Sequence, residues 1–154
     1  MVRMADLPEI DQKILMGMEC PSFETRPWVF GPPLNKRRVA MITTAGLHLR
    51  SDRPFQMGQP DLYRVIPGDA RNNDLVMSHG AASFDRTGYQ RDLNVVFPID
   101  RLRELAAEAV VGSLADYHYA FGTPLSLSQS ETAAKELSDL LKKDNVNALL
   151  IFPV

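Results

Sequence analysis

Apolar positions along the chain follow two rhythms. Short unbroken or alternating apolar runs fall at residues 38–45 (RVAMITTA), 62–67 (LYRVIP), 93–97, 117–121 (YHYAF) and 148–154 (ALLIFPV), and each predicts a strand, while the short apolar stretch 75–77 only leads into Ser78-His79-Gly80. The run at 93–97, bounded by Asp92 and Pro98, suits a strand buried on both faces, and 149–152 read as a central strand of a parallel sheet. Helical spacing appears between them. Leu7, Ile10, Ile14 and Leu15 predict a short helix within 5–18, with Pro8 in its first turn. Asp100 is placed to cap a helix starting at Arg101, with Leu102, Leu105, Ala106 and Ala109 as its apolar stripe and Gly112 ending it in a left-handed turn. Ser128 and Glu131 form a capping box for a third helix that buries Ala133, Ala134, Leu137, Leu140 and Leu141 and runs to about Lys143. Lys142 and Lys143 complement its negative end, and Asp144-Asn145 makes the turn.

Strands alternating with helices predict an α/β fold: a mostly parallel sheet with helices on its faces, in a single domain at 38–154. Residues 1–37 are expected to form an N-terminal helix and an arm. The arm is rich in proline (Pro21, Pro27, Pro32, Pro33), so it is extended, and Phe23, Trp28 and Phe30 are expected to lie on a surface of this chain or of a neighbouring subunit.

Composition narrows the classes. With 154 residues and 45% hydrophobic content, the chain can bury one real core. Its 17 basic and 19 acidic residues, net charge -2, argue against nucleic acid or an anionic membrane surface as partner. No apolar window spans a bilayer, and Asp6, Glu9, Asp11 and Lys13 interrupt any signal core, so a soluble cytoplasmic protein is expected. One cysteine excludes an internal disulfide.

The strand at 38–45 closes on Thr43 and Thr44 before Gly46, putting small hydroxyls and a flexible backbone at a sheet's C-terminal edge, where open α/β sheets bind ligands; both threonines are equally ordinary strand formers. After them, Leu47 to Arg50 lead into a loop punctuated by Pro54, Gly58 and Pro60. Ser78, His79, Asp85, Arg86, Asp92 and Asn94 form the one dense polar cluster. His79, followed by a glycine, can approach a substrate and move protons near neutral pH, with Asp85 or Asp92 orienting it; in the competing reading, Asp85 and Arg86 only hold the loop. His48, His79 and Asp85 lack the spacing of a helical zinc motif, and there is no glycine-rich phosphate loop and no Cys-x-x-Cys, so neither a metal nor a cofactor is expected. His118 reads as a satisfied, half-buried strand residue without a role.

Taken in order, RVAMITTAGLHLR, YRVIPGD, SHG, DLNVVFPIDRLRELAAE with its following VGSLA, and ALLIFPV resemble the selenoprotein B family of the glycine, sarcosine, betaine and D-proline reductases, from Trp28 onward. DLNVVFPIDRLREL is the most specific piece. The resemblance implies a cytoplasmic, substrate-specific subunit of a multiprotein reductase, in which a selenocysteine or cysteine attacks an activated substrate and a carbon–nitrogen bond is cleaved. In the family that residue follows the strand resembling ALLIFPV, whereas this sequence stops at Val154; a selenocysteine codon read as stop and a naturally short relative are the two explanations. Cys20 lies outside the resembling motifs.

The resemblance implies an oxidoreductase completed by the missing segment or by a partner, acting on a small amine or amino-acid derivative. His79 and Asp85 are its expected catalytic residues, with Thr43, Thr44, His48, Ser78 and Arg86 binding substrate. The alternative is a non-catalytic assembly subunit that docks on other reductase subunits or on itself.

Overall fold

The computed structural model describes residues 3–18, 22–26, 28–56, 62–79, 85–122 and 126–154. The chain divides into two compact units, Met1–Phe30 and Gly31–Val154. In the first, a 3-10 turn at Met4–Asp6 precedes helix α1 (Glu9–Met16), which starts after Pro8, where the missing amide costs nothing. The helix buries no residue; Ile10, Ile14 and Met16 are exposed, and so are Phe23, Trp28 and Phe30, the rings expected to pack.

The second unit opens with strand β1 (Arg38–Thr43), followed by β2 (Leu47–Leu49), β3 (Arg64–Pro67), β4 (Leu75–Met77), helix α2 (Thr87–Arg91), α3 (Ile99–Ala107), β5 (Ser113–Leu114), β6 (Tyr117–Ala120), α4 (Leu127–Lys143) and β7 (Ala148–Phe152). β1 is the axis of the sheet. It pairs in parallel with β7 on one side, Val39 opposite Ala148 through Thr43 opposite Phe152, and on the other side with β5 and then β6. β3 adds to β6 antiparallel. The fold is therefore α/β with a mostly parallel sheet, as the alternation of patterns predicts. β2 and β4 form a separate two-stranded antiparallel sheet.

Alternation along β1 separates two cores. Val39 and Met41 join Ile66, Leu93, Val96, Phe97, Ile99 and Leu102 on one face; Ala40 packs with Ala115, Tyr119, Leu137 and Leu141 of the α4 side on the other. Fully buried side chains such as Met41, Phe97 and Ile99 each stabilise by about 2 kcal/mol.

Two polar clasps tie the layers together. Arg38 donates to Asp144 and Asp116 and to the Leu114 carbonyl, so the start of β1, the end of β5 and the end of α4 share one guanidinium. Arg103 donates to the carbonyls of Gly68 and Ala70 (2.7 and 2.8 Å) and to Asp100, whose carboxylate also accepts from Asn72 and Asn94. The amide of Asn94 is the main cause of the lowered Asp100 pKa.

Several local expectations are corrected. Residues 93–95 form a 3-10 turn rather than a strand, because Asp92 accepts the Asn94 amide and the buried side chains are Leu93, Val96 and Phe97, a helical spacing that leaves Val95 exposed. Helix α3 begins at Ile99 after Pro98, so Asp100 lies inside it and does not cap it. Its left-handed exit falls at Ala109 (φ 58°), not Gly112; Gly112 lies against the strand start, where a Cβ would come within 2.7 Å of the Arg37 carbonyl. The capping box of α4 is Ser126 with Gln129, two residues before the expected pair, and Ala134 is exposed. β7 pairs with β1 alone among the described residues, so it is an edge strand rather than a central one. His118, expected to be half-buried and satisfied, is fully buried, and its Nε2 has no hydrogen-bond partner among the described residues.

Candidate functional site

The site starts where β1 gives out. The Thr43 hydroxyl donates to the Val96 carbonyl (3.0 Å) and accepts from the Ala45 amide (3.2 Å), folding the chain sharply at the strand's C-terminal end. Gly46 follows with φ +69°, its amide on the Phe121 carbonyl (2.7 Å) and its carbonyl accepting the Ser78 amide (2.8 Å). A Cβ at Gly46 would sit 2.9 Å from the His79 backbone nitrogen, so both conformation and space require glycine here. One residue thus joins the ends of β1 and β6 to the exit of β4.

The β2–β4 ladder then sets side-chain register. His48 faces Val76 across the pair, and Ser78, two residues on, comes to the same face. The His48 ring is 2% exposed; its Nδ1 lies 2.7 Å from the Leu49 carbonyl and its Nε2 2.7 Å from the Ser78 hydroxyl. Phe55 meets this ring edge-on at 6.3 Å, lies against Gly122 where a Cβ would come within 2.3 Å of it, and carries the Arg64 guanidinium 4.5 Å above its centre.

His79 is half-buried, and Arg86 donates to its carbonyl at 2.9 Å. Burial, with the Arg86 charge adding to it, lowers the His79 pKa, which favours the neutral imidazole near pH 7. Asp85 is exposed; its carboxylate accepts from the Thr87 hydroxyl (2.7 Å) and amide (2.9 Å) at the start of α2, and the hydroxyl bond is the main cause of its lowered pKa. The Thr44 hydroxyl is engaged by the Val154 backbone, and its amide donates to the Phe152 carbonyl.

Of the residues singled out from sequence, His48 and Ser78 are in direct contact, His79 and Arg86 are linked through a carbonyl, and Thr43 and Thr44 end the neighbouring strand. Residues 80–84 and Cys20 lie outside the described residues. Sequence reading passed over Phe55 and Arg64; the signal was a lone large apolar ring in an otherwise polar, proline-punctuated loop, which is costly to leave in water. Asp92 belongs to the 3-10 turn.

Among the described residues, open clefts lie elsewhere. One of about 660 Å³ is bordered by Arg50, Asp69, Arg71 and Asp74, and another of about 380 Å³ by Arg38, Tyr117 and Asp144. Among the described residues no His, Cys, Asp and Glu side chains gather as a metal site, and no helix is long and apolar enough to cross a membrane.

A model of the glycine/sarcosine/betaine reductase selenoprotein B family matches residues 32–153. The chain is 36% identical over 132 residues to the D-proline reductase subunit gamma of Acetoanaerobium sticklandii, covering 82% of this chain and 54% of that one. It is 31% identical over 142 residues to a glycine reductase complex component B subunit gamma of Symbiobacterium thermophilum, covering 85% and 32%. A sarcosine reductase complex component B subunit beta of Peptoclostridium acidaminophilum is 28% identical over 125 residues, covering 77% and 28%. The chain thus spans about half the length of the first relative and about a third or less of the other two. No solved structure matches.

Proposed function

The chain belongs to the glycine/sarcosine/betaine reductase selenoprotein B family, and we propose that it works as a subunit of such a reductase complex, holding a small amine or amino-acid substrate for reductive cleavage of its carbon–nitrogen bond. The observation that carries this reading is the contact of His48 with Ser78, the chain neighbour of His79, beside the C-terminal end of a parallel strand, the position where open α/β sheets bind ligands. His79, neutral near pH 7, takes the proton of the attacking selenol or thiol and passes it to the departing amine as the carbon–nitrogen bond breaks and the carbon–chalcogen bond forms. Arg86 sets positive charge behind it, Asp85 holds the start of α2, and Thr44 borders the substrate, while Thr43, expected to do so as well, is fully buried with its hydroxyl engaged and instead fixes the turn beside it. The family resemblance assigns the attack to a selenol or thiol. Cys20 lies outside the stretch that matches the family, so that group comes from another segment or another subunit.

The test is turnover in a reconstituted complex. His79→Ala lowers it by about 10²–10⁴-fold while the circular dichroism spectrum and the urea midpoint of the chain stay unchanged. Turnover equal to wild type removes His79 from the mechanism.

A second reading, a non-catalytic assembly subunit, draws on β7. Its outer edge is unpaired among the described residues, and Leu149, Leu150 and Ile151 are exposed, an apolar strand suited to docking on another reductase subunit or on a second copy. The arm in residues 1–37, with its exposed rings, serves the same purpose in this reading. Purification as a strict monomer that binds no other subunit counts against it.

A further inference from the structure

The outer edge of β7 is built to pair. The Thr44 amide donates to the Phe152 carbonyl, so Phe152 turns its backbone groups toward β1, and by the alternation of a strand Leu150 and Ala148 do the same. Leu149 and Ile151 therefore aim their amides and carbonyls outward, where no described strand receives them. Side chains stand exposed on both faces of the sheet. Leu149 and Ile151, in register with Ala40 and Ile42, are on the α4 face, and Leu150, in register with Met41, is on the other. No charged residue and no proline lies between Asn147 and Phe152, so the strand has none of the devices that keep a sheet edge from pairing. Pro153, without an amide, ends the edge.

We propose that this edge pairs with the same edge of a second copy of the chain, antiparallel across a two-fold axis at Leu150. The strand is complementary to itself in that register. Leu149 opposes Ile151 of the second copy, and their outward amides and carbonyls satisfy each other in both directions. Leu150 opposes its own counterpart, and the small Ala148 opposes the large Phe152. No charge meets a like charge, and the two-fold closes the assembly, where a head-to-tail contact would propagate. A five-residue edge buries less than the about 800 Å² per partner of a standard interface, so the dimer dissociates in the micromolar range. The pairing joins the two sheets into one in which the β1 strands of the copies run in opposite directions. Their Gly46 ends then lie at opposite rims, and each site stays open to other subunits. The inference rests on the assembly reading of β7 and goes beyond it by fixing the occupant, the register and the axis.

Cysteine trapping on the full chain tests the register, in a Cys20→Ser background that removes the one native thiol. Leu150→Cys sets two thiols across the axis on residues whose Cα atoms are about 4.5 Å apart, within disulfide reach, and diamide converts it to a covalent dimer. Leu149→Cys meets its counterpart only diagonally, at about 7–8 Å, and is trapped at least about tenfold less. Sedimentation of the unmodified chain from about 1 to about 200 μM shows monomer and dimer in exchange. Equal trapping of the two variants, or a monomer throughout that range, overturns the inference. The same variants in the reconstituted reductase complex separate the readings. A Leu150→Cys dimer that still forms there supports the second copy. Trapping of Leu150→Cys on a different subunit overturns the second copy and leaves the assembly reading standing, and a chain that stays monomeric and binds no subunit overturns both.

Discussion

Acid should unfold this protein through His118. The imidazole lies in β6 with no exposed surface, Phe97 meets it edge-on at 5.8 Å, and its Nδ1 accepts the Met41 amide of β1 (3.0 Å), so the ring substitutes for a rung of the β1–β6 ladder. Its pKa falls from 6.5 to about 4, chiefly because burial penalises the imidazolium; the charges of Arg103 and Arg38 push the same way, and Asp144 opposes them. The sign follows. Between those two values the unfolded chain binds the proton and the folded chain does not, so stability is full above pH 6.5 and is lost as pH falls toward 4. The gap corresponds to about 3 kcal/mol, a large share of the roughly 5–15 kcal/mol that holds a domain of this kind together. His118→Asn keeps an acceptor for the Met41 amide and removes the titration. Urea unfolding of both proteins from about pH 7 to about pH 4 should show the wild type losing about 3 kcal/mol more than the variant. The carboxylates titrate in both, so the difference isolates His118. A gap between the two that stays constant with pH, or an NMR midpoint for His118 near 6.5, refutes the reasoning.

Gly46→Ala should destabilise the domain by more than about 1 kcal/mol in urea unfolding, and should break the His48–Ser78 contact, seen as a changed His48 nitrogen spectrum, because the added methyl meets the His79 backbone. Arg38→Ala should cost about 2–4 kcal/mol, because it strands the Asp144 carboxylate, only 11% exposed; Asp116→Asn, at 75% exposed, should change stability by less than about 0.5 kcal/mol. Ile151→Lys on the outer strand should lower self-association or partner binding in sedimentation while shifting stability by less than about 1 kcal/mol, since that side chain is 60% exposed.

The elements readable in advance were those whose burial and local pattern agree. β1 carries apolar residues on two faces and is buried on both, and α4 announces its core stripe in Leu137 and Leu141. Residues 93–97 misled because a five-residue apolar run does not state its period; the Asp92 cap and the exposure of Val95 decide for a turn, and exposure is a tertiary fact. Ser126, Ser128, Gln129 and Glu131 offer two overlapping capping boxes, and nothing local ranks them. The β2–β4 pairing was hidden for a related reason: three-residue strands carry too little pattern to call, and the pairing depends on Gly46 bringing distant segments together. The site shows the same division. Residue types singled out Ser78 and His79 and noted His48, yet the bond between His48 and Ser78, thirty positions apart, follows from sheet register. His118 lost its ordinary character for the same reason, since its complete burial is set by β1, β6 and Phe97 together.

The measurement that tests the central claim most directly is the carbon–nitrogen cleavage activity of the reductase complex, assembled with and without this chain. The account predicts that the complex without the chain turns over none of its amine substrate, that adding wild-type chain restores turnover, and that adding His79→Ala does not. Equal turnover in all three preparations contradicts it.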